Sequence, residues 1–247
     1  MAAVDRHRVP GPLGWYPAFR LHDLPNCVVS IRPRVATVTL NGADVSQVDD
    51  ETGLGHHVVQ ATASKQPLWV ASGGPNNKSY VEFDGVDEIL KAVFTTAQPV
   101  HRFLVLLPAV AFVAYDQACD GGDGGVYSTS TLYYHPTGAK IVAFNQAIPG
   151  DNGTNKSIET ASTLTAWQKI DVLWAGASSK LRVNGAAPVT GTLNTNDVGG
   201  LALGGRADAG GWYYGDPRVA EAVDFSAEVT GNALTLANWY LATEYSL

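Results

Sequence analysis

The sequence contains few cysteines, few charged residues and no long apolar run, and each shortage excludes a class of protein. Only Cys27 and Cys119 occur among the 247 residues, too few for the disulfide framework of a small secreted domain. We therefore expect two free thiols, at least one of them buried. The longest apolar run, residues 103–115, is interrupted by Pro108 and is too short to span a bilayer, so no membrane insertion is expected.

Motifs that mark exported proteins and common enzyme classes are also missing. The first fifteen residues, MAAVDRHRVPGPLGW, lack the apolar stretch of a signal peptide. The chain has no G-x-S-x-G, no G-x-x-x-x-G-K-[ST] and no dinucleotide-binding fingerprint. Its six histidines form no metal-binding cluster, and His56 and His57 would point to opposite faces of a strand. These absences favour a protein without catalytic activity.

The abundant residues indicate an all-β domain. Glycine occurs 26 times, proline 13 times, and 45% of the residues are hydrophobic, which suits one turn-rich domain with a real core. Asn41-Gly42 and Asn184-Gly185 predict tight turns, and one helix is predicted from about Asn232 to Tyr245 with Thr230 as its N-cap. Apolar and alternating runs predict strands at residues 27–33, 35–40, 57–61, 80–83, 102–107, 110–115, 131–134, 140–144, 168–174, 180–183 and 201–203.

Positive charge is concentrated at the start of an otherwise acidic chain. The net charge is −7 and the pI about 5.2, which disfavours nucleic-acid binding. Residues 1–34 nonetheless hold five arginines and only two acids, and residues 1–17 are rich in proline and glycine, as in an extended arm. The alternative is that the arginines are solvated or paired locally. We predict that this arm contacts a neighbouring subunit through Arg6, Arg8, Trp15 and Arg20.

Three segments occur in an order that resembles a known superfamily. Residues 44–70 contain a short strand, an Asp-containing Gly-rich loop and a strand running into QATASKQP. Residues 80–90, YVEFDGVDEIL, are similar to an apolar-x-FDGxDD segment, and residues 219–247 are similar to a closing strand, turn and helix. Together they resemble the concanavalin A-like lectin/laminin-G-like jelly-roll superfamily, of the type found in bacteriophage tail, fibre or decoration proteins. The family often has Trp where Val48 stands.

The resemblance implies an all-β fold, a two-sheet antiparallel jelly-roll sandwich with one short C-terminal helix and an extended N-terminal arm. Residues 35–247 would form the sandwich, and residues 1–34 the arm and a first edge segment. Relatives of this type bind glycans or proteins, cleave polysaccharides or build virion and cell-wall surfaces. The fold alone therefore does not decide the function.

Aromatic side chains mark the predicted glycan-binding site. Sugar rings stack on exposed aromatic rings while nearby polar groups bind the hydroxyls. Trp212, Tyr213 and Tyr214 stand between glycines, close to Asp216, and we predict that these four residues bind a glycan. Tyr133-Tyr134-His135 is a second candidate. The alternative for both segments is that alternate rings point into the core.

Acidic residues give two further hypotheses. Calcium takes six to eight oxygen ligands from flexible loops, and Asp120 and Asp123 are the candidate ligands; turn formation without any cofactor is the alternative. Glu82 and Asp84 have the alternate spacing of a catalytic carboxylate pair on one strand. Because Gly85 interrupts that strand, we interpret Asp84 as a turn-forming residue.

The sequence therefore predicts a non-enzymatic structural protein of a virion, of the phage minor tail, fibre or decoration type. Such a protein would lie on the tail or capsid surface, form homo-oligomers, assemble with other virion proteins and contact a host-surface polysaccharide. One alternative is a stand-alone carbohydrate-binding module. Another is a glycoside hydrolase that uses Glu82 and Asp84.

Overall fold

The structure is a computed structural model. It describes residues 8–11, 14–17, 19–108, 117–122, 130–135, 139–145, 156–162, 165–207 and 214–247, with side chains from Phe19 onward.

The described residues form mainly β-strands, with one α-helix and four short 3₁₀ turns. The helix, α1, spans Gly231–Tyr245. The 3₁₀ turns are Leu21–Asp23, Ala63–Lys65, Pro75–Asn77 and Gly176–Ser178. The strands are β1 (Arg8–Gly11), β2 (Gly14–Pro17), β3 (Cys27–Ile31), β4 (Val38–Asn41), β5 (Asp44–Val48), β6 (Val58–Val59), β7 (Leu68–Val70), β8 (Tyr80–Glu82), β9 (Leu90–Thr96), β10 (Val100–Leu107), β11 (Gln117–Asp120), β12 (Thr131–His135), β13 (Lys140–Asn145), β14 (Lys156–Ala161), β15 (Gln168–Trp174), β16 (Ser179–Val183), β17 (Val189–Gly191), β18 (Val198–Leu203) and β19 (Arg218–Phe225).

Strands β3 to β19 pair antiparallel in one connected, barrel-like network. One run of neighbours is β17, β16, β15, β10 and β19, and β19 also pairs with β3 and β8. A second run leads from β14 through β13, β12, β11, β18, β9 and β6 to β5 and β4. Strand β7 joins the two runs because Leu68 pairs with both Asp44 of β5 and Glu82 of β8.

The predicted fold class is confirmed as an antiparallel β domain with one C-terminal helix. The two sheets of the predicted jelly-roll sandwich are not separate in the hydrogen-bond network, because β7 and β8 connect them. The strand predicted at 35–40 begins only at Val38, since the amide of Thr37 donates to the carbonyl of Arg34 at 2.9 Å and closes a turn. The strand predicted at 110–115 lies outside the described residues.

The main core lies between the two runs of strands, and α1 covers the outside of the first run. Leu104 of β10 and Leu132 of β12 belong to the main core, as does the fully buried Trp174. On the other face of β10 and β19, the helix packs through Ala237, Tyr240, Leu241 and Tyr245. Both thiols are free, and Cys119 is buried, as the sequence predicts.

The N-terminal segment forms a hairpin where the sequence predicts an extended arm. Strands β1 and β2 pair with each other, placing Arg8 opposite Pro17 and Pro10 opposite Trp15. A two-stranded ribbon has two free edges, so prolines that lack an N–H donor are tolerated there.

Candidate functional site

Arg102 and Asp224 form a fully buried ion pair inside the main core. They lie directly opposite each other on β10 and β19, and Nε and Nη2 of Arg102 each donate to one carboxylate oxygen at 2.7 Å. Nη1 lies 3.4 Å from Sγ of Cys119 on the opposite run of strands. Burial is the largest single influence and would lower the pKa of Arg102, but the charges of Asp224 and Cys119 and the hydrogen bonds to them together raise it. The pair is closed to solvent, so its role is structural.

Only part of the predicted aromatic site lies within the described residues. Trp212 and Tyr213 lie outside them, whereas Tyr214 and Asp216 are half-buried. The backbone of Tyr214 forms a β-bridge with Gly205. Its side chain packs against a small apolar cluster of Ile89, Ala202 and Ala207.

The residue between Tyr214 and Asp216 fixes this segment on the sheet. A Cβ atom on Gly215 would lie 2.5 Å from the carbonyl oxygen of Gln117, so the segment approaches β11 as closely as only glycine permits. The amide of Gly215 also donates to the carbonyl of Gly204 at 2.9 Å. The base of the predicted aromatic loop is therefore held against β11.

Further aromatic rings lie on the face of β11, β12 and β13 that points away from the main core, here called the outer face. Tyr133 and Phe144 are half-buried on this face, with ring centroids 5.9 Å apart in an edge-to-face arrangement. Tyr134 points inward and is only 1% exposed. In the second predicted segment, Tyr133 and His135 thus lie on the outer face while Tyr134 belongs to the core, as strand alternation requires.

Asp120, one of the two predicted calcium ligands, binds protein donors. Its Oδ1 accepts from the hydroxyl of Thr131 and the amide of Gly121, both at 2.9 Å, and its Oδ2 accepts from the amide of Ala207 at 3.1 Å. Burial raises the pKa of this carboxyl. Asp123 lies outside the described residues, so calcium binding stays a prediction. In the part of the chain that the structure describes, no three His, Cys, Asp or Glu residues group as metal ligands.

The two carboxylates of the proposed catalytic pair have separate partners. Glu82 accepts from Nε and Nη2 of Arg218 at 3.0 and 2.7 Å. Asp84 accepts from the amide of Val86 at 2.8 Å, which is the turn-forming role that the sequence indicates. Burial and the charge of Asp84 raise the pKa of Glu88 to about 7.

Some arginines of the basic N-terminal region pair locally. Nη1 of Arg20 lies 3.5 Å from Glu51, and Nε of Arg32 lies 3.1 Å from the same carboxylate. Arg6 lies outside the described residues, and the side chains of Arg8 and Trp15 are not among those described. Contact of the arm with a neighbouring subunit stays a prediction.

The structure contains a buried polar network beneath α1 that the sequence does not predict. The hydroxyl of Tyr245 donates to Glu221 at 2.6 Å, and Tyr240 donates to Glu221 at 3.2 Å. Nη1 of Arg32 in turn donates to the hydroxyl of Tyr240. Burial raises the pKa of Glu221 to about 7, although Arg32 and the two tyrosines act in the opposite direction.

Next to this network the surface opens into a cavity of about 180 Å³, here called the basic pocket. It lies where the segment after β3 and the end of α1 meet the residues that precede β8. Three of its lining side chains are cationic and one is anionic. Its lining includes Arg32, Arg34, Lys78, Ser79, Glu244 and Tyr245.

Comparison with solved structures shows a shared fold at low sequence identity. The Trypanosoma rangeli sialidase superposes with a TM-score of 0.61 at 12% identity, over 97% of this chain and 36% of the sialidase. The botulinum neurotoxin type G receptor binding domain gives 0.58 at 11%, over 86% of this chain and 51% of that domain. A GH54 α-L-arabinofuranosidase gives 0.59 at 12%, over 82% of this chain and 51% of the enzyme.

This chain therefore spans about a third of the sialidase and half of the other two proteins. No family model and no curated protein sequence matches it. No helix of the described region has both the length and the apolar character needed to cross a membrane.

These similarities correct the function predicted from the sequence. The similar structures are glycoside-cleaving enzymes and a receptor binding domain, so the prediction of a phage tail, fibre or decoration protein is wrong. The basic arm, the missing signal peptide and the missing catalytic motifs carried that prediction, and none of these features is specific to virion proteins.

Proposed function

We propose that this chain is a carbohydrate-binding domain that acts without catalysis, with a concanavalin A-like jelly-roll fold. The observation that carries the binding proposal is the outer face, where Tyr133 and Phe144 present half-buried rings beside β11. The base of the loop that contains Trp212 and Tyr213 is fixed against the same strand. Aromatic rings beside polar groups suit stacking on a sugar.

The pairing order supports the jelly-roll assignment. The run from β17 to β3 and the run from β14 to β4 lie on opposite sides of the main core, and β7 and β8 are their connection. Two antiparallel sheets that face each other across one core are the usual form of a β-sandwich; in this chain β7 and β8 close one edge between them.

The local partners of the acidic residues support a non-catalytic role. A retaining glycosidase needs two carboxyl groups facing one sugar. Here Glu82 is engaged by Arg218, and Asp84 binds the backbone of its own turn. Their hydrogen bonds serve the fold.

The test of binding uses a panel of immobilised polysaccharides. The wild-type chain is expected to bind at least one of them, and Tyr133→Ala and Trp212→Ala are expected to weaken binding about tenfold, or about 1.4 kcal/mol, because each removes a ring on which a sugar can stack. Trp212→Phe keeps a stacking ring and is the matched control. Binding that is unchanged in both alanine variants would exclude the outer face.

The test of catalysis follows the release of reducing sugar from each polysaccharide that binds. We expect no release. Release by the wild type would overturn the non-catalytic assignment, and its loss in Glu82→Gln would then assign the activity to Glu82.

A further inference from the structure

The basic pocket is a site separate from the outer face, and hydrogen bonds between distant chain segments hold its walls in place. The hydroxyl of Ser79 donates to the carbonyl of Pro33, which ties the residues before β8 to the segment after β3. The side chain of Asn76 donates to the carbonyl of Glu244 at 2.9 Å. These bonds join three separate stretches of chain around one cavity, so the pocket is preformed.

Positive charge exceeds negative charge in this pocket. Arg32, Arg34 and Lys78 line it together with a single acid, Glu244. Nζ of Lys78 lies 3.1 Å from Glu244, and Nη2 of Arg34 lies 3.8 Å from the same carboxylate. The carboxylate of Glu244 therefore pairs with two partly exposed cations, Arg34 and Lys78, and Arg32 is not paired with it.

Arg32 supplies a buried donor to the pocket. Its side chain is 3% exposed, and its Nε faces Glu51 at 3.1 Å without the alignment of a hydrogen bond. Glu51 also serves Arg20. The contacts of Arg32 with the described residues engage Nε and Nη1 and leave Nη2 without a hydrogen bond. A buried guanidinium with a free N–H group favours an oxyanion ligand, because a bidentate contact satisfies its remaining donors.

The volume of the basic pocket limits the size of its ligand. About 180 Å³ accommodates one charged group with the ring carbons that carry it, not a whole oligosaccharide. At the end of α1, the carbonyl of Ala242 accepts from the amides of Ser246 and Leu247, and the carbonyl of Glu244 accepts from Asn76, so two of its last carbonyls are already bonded.

We propose that the basic pocket binds the carboxylate or sulfate of an acidic saccharide. This inference rests on the proposed function, because it names the class of saccharide that the domain binds. Arg32 and Lys78 bind the oxyanion, and Glu244 competes with it for Arg34 and Lys78.

The test is a titration of the full chain followed by NMR chemical shifts. D-glucuronate and glucose 6-sulfate are the charged probes, and D-glucose is their uncharged counterpart. Sodium sulfate tests whether the anion binds without a sugar. Glucuronate or glucose 6-sulfate is expected to shift the amide signals of Arg34, Lys78 and Ser79, whereas glucose leaves them unchanged. Added salt is expected to weaken this binding.

Variants locate the site without disturbing the core. Lys78→Gln is expected to weaken glucuronate binding about tenfold, and Glu244→Gln to strengthen it several-fold because a competing anion is removed. Lys65→Gln is the matched control: its Nζ pairs with Asp87 at 3.8 Å, and its side chain is 40% exposed, as is that of Lys78. This variant is expected to bind as the wild type does.

The remaining outcomes separate this proposal from the proposed function. Equal binding of glucose and glucuronate, unaffected by Lys78→Gln, would overturn the pocket and leave a carbohydrate-binding domain. Shifts caused by sodium sulfate alone would overturn the saccharide assignment of the pocket. If no polysaccharide of the panel and none of these probes binds, both proposals fail.

Discussion

Two buried arginines of this protein differ in how completely their surroundings satisfy them. Arg102 is enclosed by the core: Asp224 accepts from Nε and Nη2, Cys119 and Ser130 contact Nη1, and Gly200 also contacts Nη2. Arg32 is almost as deeply buried and lies near Glu221, but among the described residues it donates only to Tyr240, shares Glu51 with Arg20 and borders a cavity. Every nitrogen of the Arg102 guanidinium has a protein partner, which indicates a structural residue. Arg32 keeps a donor that a ligand could use.

The environment of each carboxylate partner strengthens this contrast. Asp224 accepts from both Nε and Nη2 of Arg102. Glu221, beneath Arg32, has a pKa raised to about 7 by burial. We therefore expect the region around α1 to respond to pH near neutrality.

Removing the partner of Arg102 should have the largest effect. Asp224→Ala leaves a buried guanidinium without a counter-charge and is expected to lower the free energy of unfolding by about 3–5 kcal/mol. Urea unfolding followed by tryptophan fluorescence measures this loss. The double variant Arg102→Met/Asp224→Leu is the control and should lose less than the single variant. A loss below about 1 kcal/mol in Asp224→Ala would mean that the pair does not stabilise the core as described.

Glu221 should make stability depend on pH. Its folded pKa of about 7 lies above the ordinary value of 4.5, so the folded state binds more protons between these values. The stabilising contribution is full below about pH 4.5 and is lost as the pH rises through about 7, at about 1.4 kcal/mol per pKa unit. Glu221→Gln should flatten this decline in urea unfolding measured from about pH 5 to pH 8.

Glu88 offers the matched control for this pH dependence. Its pKa is also raised to about 7, but the side chain lies at the turn after β8 and is only partly buried. Solvent screening should make the effect of Glu88→Gln smaller than that of Glu221→Gln. If the free energy of unfolding declined equally with pH in the wild type and in Glu221→Gln, Glu221 would not be the cause of the pH dependence.

The smallest effect on stability is expected at the rim of the basic pocket. Lys78 is 40% exposed and pairs with Glu244, so Lys78→Gln should change the free energy of unfolding by less than about 1 kcal/mol. Thermal unfolding beside Lys65→Gln measures this change. If Lys78→Gln lowered the free energy of unfolding by more than about 2 kcal/mol, Lys78 would be a structural residue, as Arg102 is.

Local features of the fold could be predicted from the sequence because short-range chemistry determines them. Phe83 is buried, Asp84 binds the amide of Val86, and Gly85 has a φ of +73°. Asn184 and Gly185 both have positive φ and form a turn between β16 and β17, closed by the amide of Ala186 donating to the carbonyl of Val183 at 3.0 Å. In each case, a turn residue follows a run of strand-forming residues.

The polar sites could not be predicted because their members are distant in sequence. Arg102 and Asp224 are 122 residues apart, and the basic pocket joins the segments around residues 32, 78 and 244. A single sequence contains periodicity and turn signals but no record of such pairings. The excess of arginine near the N terminus was visible, yet composition alone could not distinguish a local pocket from a contact with another subunit.

Strand β19 protects the edges of three strands that lie far from one another in the sequence. Strands β3, β8 and β10 all pair with residues 218–225. Without that segment, these three strands would expose unpaired edges that are prone to join other chains. Local opening of β19 would therefore expose all three edges at once, and the protection of this fold against aggregation depends on how firmly that one strand is held.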